Sequence, residues 1–213
     1  MHSFRYILCI AVMSAMLSAC QTTTTQKSVN SDDAKWTPLI KGNTLDGWTV
    51  RGKAEWRVED GVLIGQSPGG QGHLYATPEL TDVEVKGMFR LTSQGKSANS
   101  GLYFRANPPA DNPDDYPRGY EAQLCNTHDA YTGWLWKPGS PTGKATELLT
   151  RDGEWFSMRV KAVGNQITIW VNDVAVMEYQ DDEYKSGFLA LQCHNDKMTV
   201  EAKELYYRDL GKS

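Results

Sequence analysis

DVEVKGMFRL, residues 82–91, alternates along its whole length. Val83, Val85, Gly87, Phe89 and Leu91 fall on one side of an extended chain, and Asp82, Glu84, Lys86, Met88 and Arg90 on the other. A period of two defines a strand with one face on a core. The same period recurs over 165–171, where Ile167, Ile169 and Val171 alternate with Gln166, Thr168 and Trp170. Gly164-Asn165 and Asn172-Asp173 bound that run as turn signals, so Trp155–Val163 before it and Val174–Tyr179 after it complete a meander. Working outward, strands are expected at Glu55–Val58, Val62–Gly65, Gly101–Ala106, Tyr120–Cys125, Phe188–His194 and Met198–Tyr206. No segment carries the 3.6-residue period of an amphipathic helix. Short strands joined by turns, with one long Pro/Asp loop over Asn107–Arg118, predict an all-β chain: two antiparallel sheets stacked as a jelly-roll sandwich, in one domain.

The chain has 213 residues, with 22 Lys+Arg against 26 Asp+Glu, a formal charge of −4. No Lys/Arg cluster of the kind that phosphate neutralisation demands is present, which excludes nucleic acid as a partner. The first 19 residues read as a leader: Arg5 in a short basic region, then an apolar run from Tyr6 to Leu17, too short to span a bilayer. Leu17-Ser18-Ala19-Cys20 resembles the bacterial lipobox, making Cys20 the expected lipidation site and residues 20–35 a polar tether. Gln21 after the cysteine favours the outer membrane, facing the periplasm, with contact to the membrane through the lipid anchor alone. Without the leader the chain has 194 residues and a charge of −5, because Arg5 leaves and no acid does. The domain is expected over 36–209, followed by a short tail, 210–213. Cys125 and Cys193 remain in it, and strand alternation places them on opposite faces, against a disulfide.

Alternation also locates a candidate site. Leu102 and Phe104 occupy one face of their strand, so Asn99, Tyr103 and Arg105 share the other. Tyr120, Ala122 and Leu124 oppose Glu121, Gln123 and Cys125, while Leu189, Leu191 and Cys193 oppose Gln192 and His194. Solvent-facing strands use Lys, Thr, Glu and Ser more than Gln, His and Tyr, so this composition predicts a lined concavity. Taken singly, Glu121 reads first as a solvated acid, Arg105 as its ion-pair partner and His194 as a strand-end histidine; only together do they favour a site. His73 and His128 read as incidental surface histidines. Trp134 and Trp136, either side of Leu135, are candidates for a sugar-stacking surface or for simple packing.

Six motifs then carry a resemblance: Asn43-Thr44-Leu45-Asp46-Gly47-Trp48, Trp56-Arg57-Val58-Glu59-Asp60-Gly61, Asn99-Ser100-Gly101-Leu102-Tyr103-Phe104-Arg105, Gly119-Tyr120-Glu121-Ala122-Gln123, Thr132-Gly133 and Leu191-Gln192-Cys193-His194. In this order they resemble the family once called domain of unknown function 1080 (DUF1080), now described as 3-keto-disaccharide hydrolase or 3-keto-glucoside-1,2-lyase/3-keto-2-hydroxyglucal hydratase. The resemblance runs from about Trp36 to Asp209 and implies a concanavalin-like jelly roll. The family often has Asp shortly after the Glu-x-Gln; this chain has Cys125-Asn126.

The implied chemistry suits these residues. A ketone at C3 of a glucoside acidifies the proton on C2, and the aglycone then leaves C1 by β-elimination. Water adding back to the resulting enone completes a net hydrolysis. The reaction requires a base, a group to hold the enolate oxygen, and donors for hydroxyls. The expected catalytic residues are Glu121 and His194, one as base and the other as acid or metal ligand, with Arg105 at the oxyanion. Asn99, Tyr103, Gln123, Gln192, Trp134 and Trp136 are the expected substrate contacts. Glu121 and His194 could instead ligate a divalent cation. No nucleotide or redox cofactor is expected, since no G-x-G-x-x-G opens a strand-turn-helix unit, and a separate sugar 3-dehydrogenase must supply the ketone. A non-catalytic carbohydrate-binding lipoprotein is the second reading. A laminarinase-type glycosidase ranks third, because no E-x-D-x-x-E pattern is present.

Overall fold

The computed structural model describes residues 35–95 and 97–211. The leader, Cys20 and nearly all of the tether lie outside them. The described residues form strands and turns, with fifteen strands in two antiparallel sheets.

The alternating run 82–91 forms β6 (Asp82–Ser93), central in an eight-stranded sheet. Beside it lie β11 (Phe156–Val163) and the long β15 (Met198–Gly211), which runs two residues past Asp209. β12 (Gln166–Val171) and β13 (Val174–Gln180) extend the sheet beyond β11 as the expected meander. On the other side, β4 (Val62–Gln66) pairs with one half of β15, and β3 (Glu55–Glu59) pairs with β4. β1 (Thr37–Pro38) pairs with the other half of β15, through Tyr206 and Tyr207.

The seven-stranded sheet runs β10 (Ser140–Gly143), β9 (Leu135–Lys137), β8 (Arg118–Cys125), β7 (Asn99–Asn107), β14 (Gly187–Cys193), β5 (Gly72–Leu80) and β2 (Trp48–Gly52). The apolar residues read from the alternation meet between the sheets. Val83, Val85, Phe89 and Leu91 on one side and Leu102, Phe104, Leu124, Leu189 and Leu191 on the other are all fully buried in one cluster. Burying a side chain of this size contributes roughly 1.5–3 kcal/mol. Trp56 lies flat over Gly65, where any Cβ would collide with its ring. Both sheets and their common core are complete within residues 35–211, so this segment is a folding unit.

The expected strands are present, and β1, β2, β5, β9 and β10 are additional to them; of these β5 is the long one inside a sheet, between β14 and β2. Its residues Gly72 to Ala76 are buried on both faces, so there is no apolar/polar alternation to detect. The Gly-rich stretch before it and Pro78 within it further mask the strand. Cys125 and Cys193 are both buried and free, in agreement with their opposite faces.

Candidate functional site

A cleft of about 440 Å³ opens on the outer face of the seven-stranded sheet. Its floor consists of the outward positions of β7, β8 and β14: Asn99 and Tyr103, Glu121 and Gln123, and Gln192. His194 follows at the end of β14, and Trp136 of β9 forms the opposite wall. These seven of the nine expected site residues are therefore brought together.

Glu121 occupies the half-buried centre of the floor. Its Oε2 accepts a hydrogen bond from the Tyr103 hydroxyl at 2.8 Å. Tyr103 in turn accepts from Gln192 Nε2 at 3.1 Å, and the same amide nitrogen lies 3.3 Å from His73 Nε2. The amide can only donate, so the chain of bonds runs outward from Gln192, to His73 on one side and through Tyr103 to Glu121 on the other. Glu121 Oε1 lies against Gly101, where a Cβ would collide with it. Gly101 is thus required for space rather than for backbone conformation. Burial pushes the Glu121 carboxyl up to about 8, with the Tyr103 hydrogen bond acting in the opposite direction. His194, also desolvated, is held below the usual imidazole range. Its Nδ1 lies 3.1 Å from the Tyr116 hydroxyl.

Two expected residues lie elsewhere. Arg105 does not reach the cleft: it is 2% exposed and points into the sandwich, where Nη2 meets Asp82 Oδ1 at 2.8 Å. Its Nε donates to the Thr81 carbonyl at 2.6 Å, and Nη1 to that of Gly164 at 2.8 Å. The cause is a bulge. Arg105 has φ +49°, and the β7–β8 register shifts between Phe104 and Asn107, so alternation counted through this position assigns the wrong face. Trp134 also leaves the cleft. It precedes β9 in a turn closed by its own N–H on the Tyr131 carbonyl, and its ring packs edge-on against Tyr131 and onto the core. Only Trp136 of that pair faces the site.

Three residues not expected here contribute to it. His73 is fully buried beneath the floor, packed against Tyr75, Tyr103 and Tyr116. Desolvation, reinforced by His194, lowers it to about 4 against the pull of Asp115 and Asp114, so it is a neutral hydrogen-bond partner. His73 belongs to β5, the strand without a periodicity signal. Tyr116 and its neighbours come from the Pro/Asp loop, which folds back over the sheet and is tacked down by Asp114 Oδ1 on the Gly52 N–H at 3.0 Å. His128 lines the far wall, 6.1 Å from the Trp136 ring, with Nδ1 accepting from the Ala130 N–H. Asn126, where the family often has Asp nearby, is a structural peg bonded to Asp152, Thr132 and Thr150.

Among the described residues no three His, Cys, Asp or Glu side chains converge to hold a metal ion. Glu121 and His194 alone do not supply the ligand set of a hard divalent cation.

The protein is a galectin/concanavalin-like jelly roll with a polar, aromatic-walled cleft on one sheet. The chain belongs to the family of 3-keto-alpha-glucoside-1,2-lyase-like domains, whose model matches residues 35–210. No curated protein matches it. Solved structures share its fold. One is a protein from Parabacteroides distasonis ATCC 8503 provisionally named a glycosyl hydrolase, with TM-score 0.65, 19% identity, and coverage of 85% of this chain and 96% of that one. Another is the carbohydrate-binding module CBM66 from Bacillus subtilis, with TM-score 0.62, 18% identity, and coverage of 81% and 100%. A third is a Bacillus subtilis protein of unknown function with a galectin-like fold, at TM-score 0.64, 13% identity, and coverage of 82% and 94%.

Proposed function

We propose that this chain cleaves 3-keto-glycosides by β-elimination across C1 and C2 and hydrates the resulting enone. The observation that supports this is the pairing, in one cleft, of a carboxyl held protonated near neutrality with an imidazole held neutral. Environments that separate two titratable groups in this way assign acid and base. His194 is therefore the base. With Nδ1–H donating to Tyr116, its Nε2 is free to take the proton from C2. Glu121 is the acid and hands its proton to the glycosidic oxygen as the C1–O bond breaks and the C1–C2 double bond forms. Hydration runs the same exchange backward: the Glu121 carboxylate takes a proton from the water that attacks C1, and His194 returns one to C2. Both residues regain their starting states. Gln192, Gln123 and Asn99 orient hydroxyls, and Trp136 offers a ring face to the sugar.

Purified residues 35–211, given a 3-keto-glucoside, should release free aglycone with transient enone absorbance. Sugar binding without release would instead make the domain a carbohydrate-binding module, the reading that the likeness to CBM66 supports. The expected supply of the ketone by a separate sugar 3-dehydrogenase remains part of this proposal, as do the Cys20 anchor and a periplasm-facing position on the outer membrane.

Two substitutions probe the arrangement. Gly101→Ala keeps the carboxyl but displaces it, so its kcat/KM should fall to within about tenfold of the value for Glu121→Gln; parent-like turnover would show that the carboxyl position does not matter. Trp136→Ala removes one stacking surface and should raise KM about 2- to 10-fold with kcat nearly unchanged, as read from steady-state kinetics.

A further inference from the structure

The outer face of the eight-stranded sheet has a composition that the cleft does not explain. Along its three central strands, β11, β6 and β15, the outward positions carry Lys86, Arg90, Arg159, Lys161, Lys203 and Arg208. Against these six cations stand three carboxylates, Glu84, Glu201 and Glu204. The flanking strands add Arg57 against Glu55 and Glu59 on β3, and Glu178 on β13, so in a chain of net charge −4 the positive charge is confined to the central band of this face.

The cations lie over tryptophans. Arg159 stacks on Trp170 at 3.7 Å, Arg90 and Lys203 flank Trp155 at 4.7 and 4.4 Å, and Lys86 and Arg208 flank Trp36 at 4.2 and 4.9 Å. Each pairing sets an indole, which favours the interface between water and acyl chains, beside a cation that favours a phosphate headgroup. Glu84 is sequestered between Arg159 and Arg208, and Glu201 by Arg90, so two of the three acids are held by arginines, while the exposed Glu204 and the lysines face outward.

We propose that this face docks on the surface of an anionic phospholipid bilayer. Two observations single out a bilayer. The basic residues are spread across a sheet face together with three indoles, rather than lining a groove that would follow a polymer chain. The chain also enters the described domain at this face: Trp36, beneath Lys86 and Arg208, is sixteen residues after Cys20. Given the Cys20 anchor proposed above, on which this orientation rests, a lipidated tether entering there delivers the face to a nearby bilayer at high effective concentration, so weak affinity is enough to orient the domain. Docked this way, the cleft on the opposite sheet opens away from the lipid, towards soluble glycosides.

The test uses residues 35–211, which carry no acyl chain, and vesicles of phosphatidylcholine with or without phosphatidylglycerol. Co-sedimentation should require phosphatidylglycerol and weaken as salt is added. The triple variant Lys86→Gln, Lys161→Gln, Lys203→Gln removes three cations and leaves the arginines on Glu84 and Glu201 in place. It should lose roughly 100-fold in vesicle partitioning, from about 1 kcal/mol for each cation near an anionic surface, while circular dichroism shows it still folded at the assay temperature. Equal binding to both vesicle types, or parent-like binding by the triple variant, would overturn the proposal. So would tighter binding to alginate than to the vesicles through the same lysines, which would assign the face to an acidic polysaccharide.

Discussion

Glu121→Gln is expected to lower kcat/KM towards a 3-keto-glucoside by roughly 10²–10⁴-fold, the usual contribution of a positioned general acid. The amide keeps the shape and can still accept from Tyr103, but it has no proton to give the leaving oxygen. The pH profile gives an independent check. Activity requires His194 neutral and Glu121 protonated, so kcat/KM should rise on the acid side, through a His194 value below the usual imidazole range, and fall as pH passes about 8. In Glu121→Gln the alkaline limb should disappear. A profile that climbs to a plateau above 8 would reverse the two roles and make the Glu121 carboxylate the base.

The same group leaves a signature in stability. The folded state holds the Glu121 proton to about pH 8, whereas the unfolded chain releases it near 4.5. Between these values the folded state binds more protons, so this residue's contribution to stability declines as pH rises through that window. The Tm of Glu121→Gln relative to the parent should therefore increase from the acid side of 4.5 to the alkaline side of 8. A Tm difference that does not change with pH would show that the carboxyl is not perturbed.

Arg105→Met is expected to have the largest effect on stability. It removes the cation opposing the buried Asp82 carboxylate and the donors to the Thr81 and Gly164 carbonyls. Breaking a buried ion pair by deleting one partner costs about 3–5 kcal/mol, which for a domain of this size lowers Tm by roughly 10 °C. Because Arg105 lies between the sheets, the variant that remains folded at low temperature should keep a parent-like KM. A large rise in KM without loss of stability would instead return Arg105 to the cleft.

Arg105 and His73 show where reading along the chain fails. For Arg105, a single residue at positive φ shifts the parity of everything counted through it, and the residue types on either side do not reveal the bulge. For His73, burial on both faces of β5 erases the alternation that would have identified the strand. Trp134 is lost to a turn in the same way that Arg105 is lost to a bulge. By contrast, Tyr103, Glu121, Gln123 and Gln192 lie within regular stretches of β7, β8 and β14, where a period of two transfers directly to a shared face.

The sequence by itself determined the sandwich, its core and the floor of the cleft, because strand periodicity is a local property that each segment carries independently. It also determined the family, through six short motifs in order. Only the tertiary structure decided which residues reach the cleft from distant parts of the chain. It placed His73 under the floor, laid Tyr116 across it from the Pro/Asp loop, and withdrew Arg105 to the interior. It also decided the protonation of Glu121 and His194, because desolvation depends on what packs around a group rather than on its neighbours in the chain.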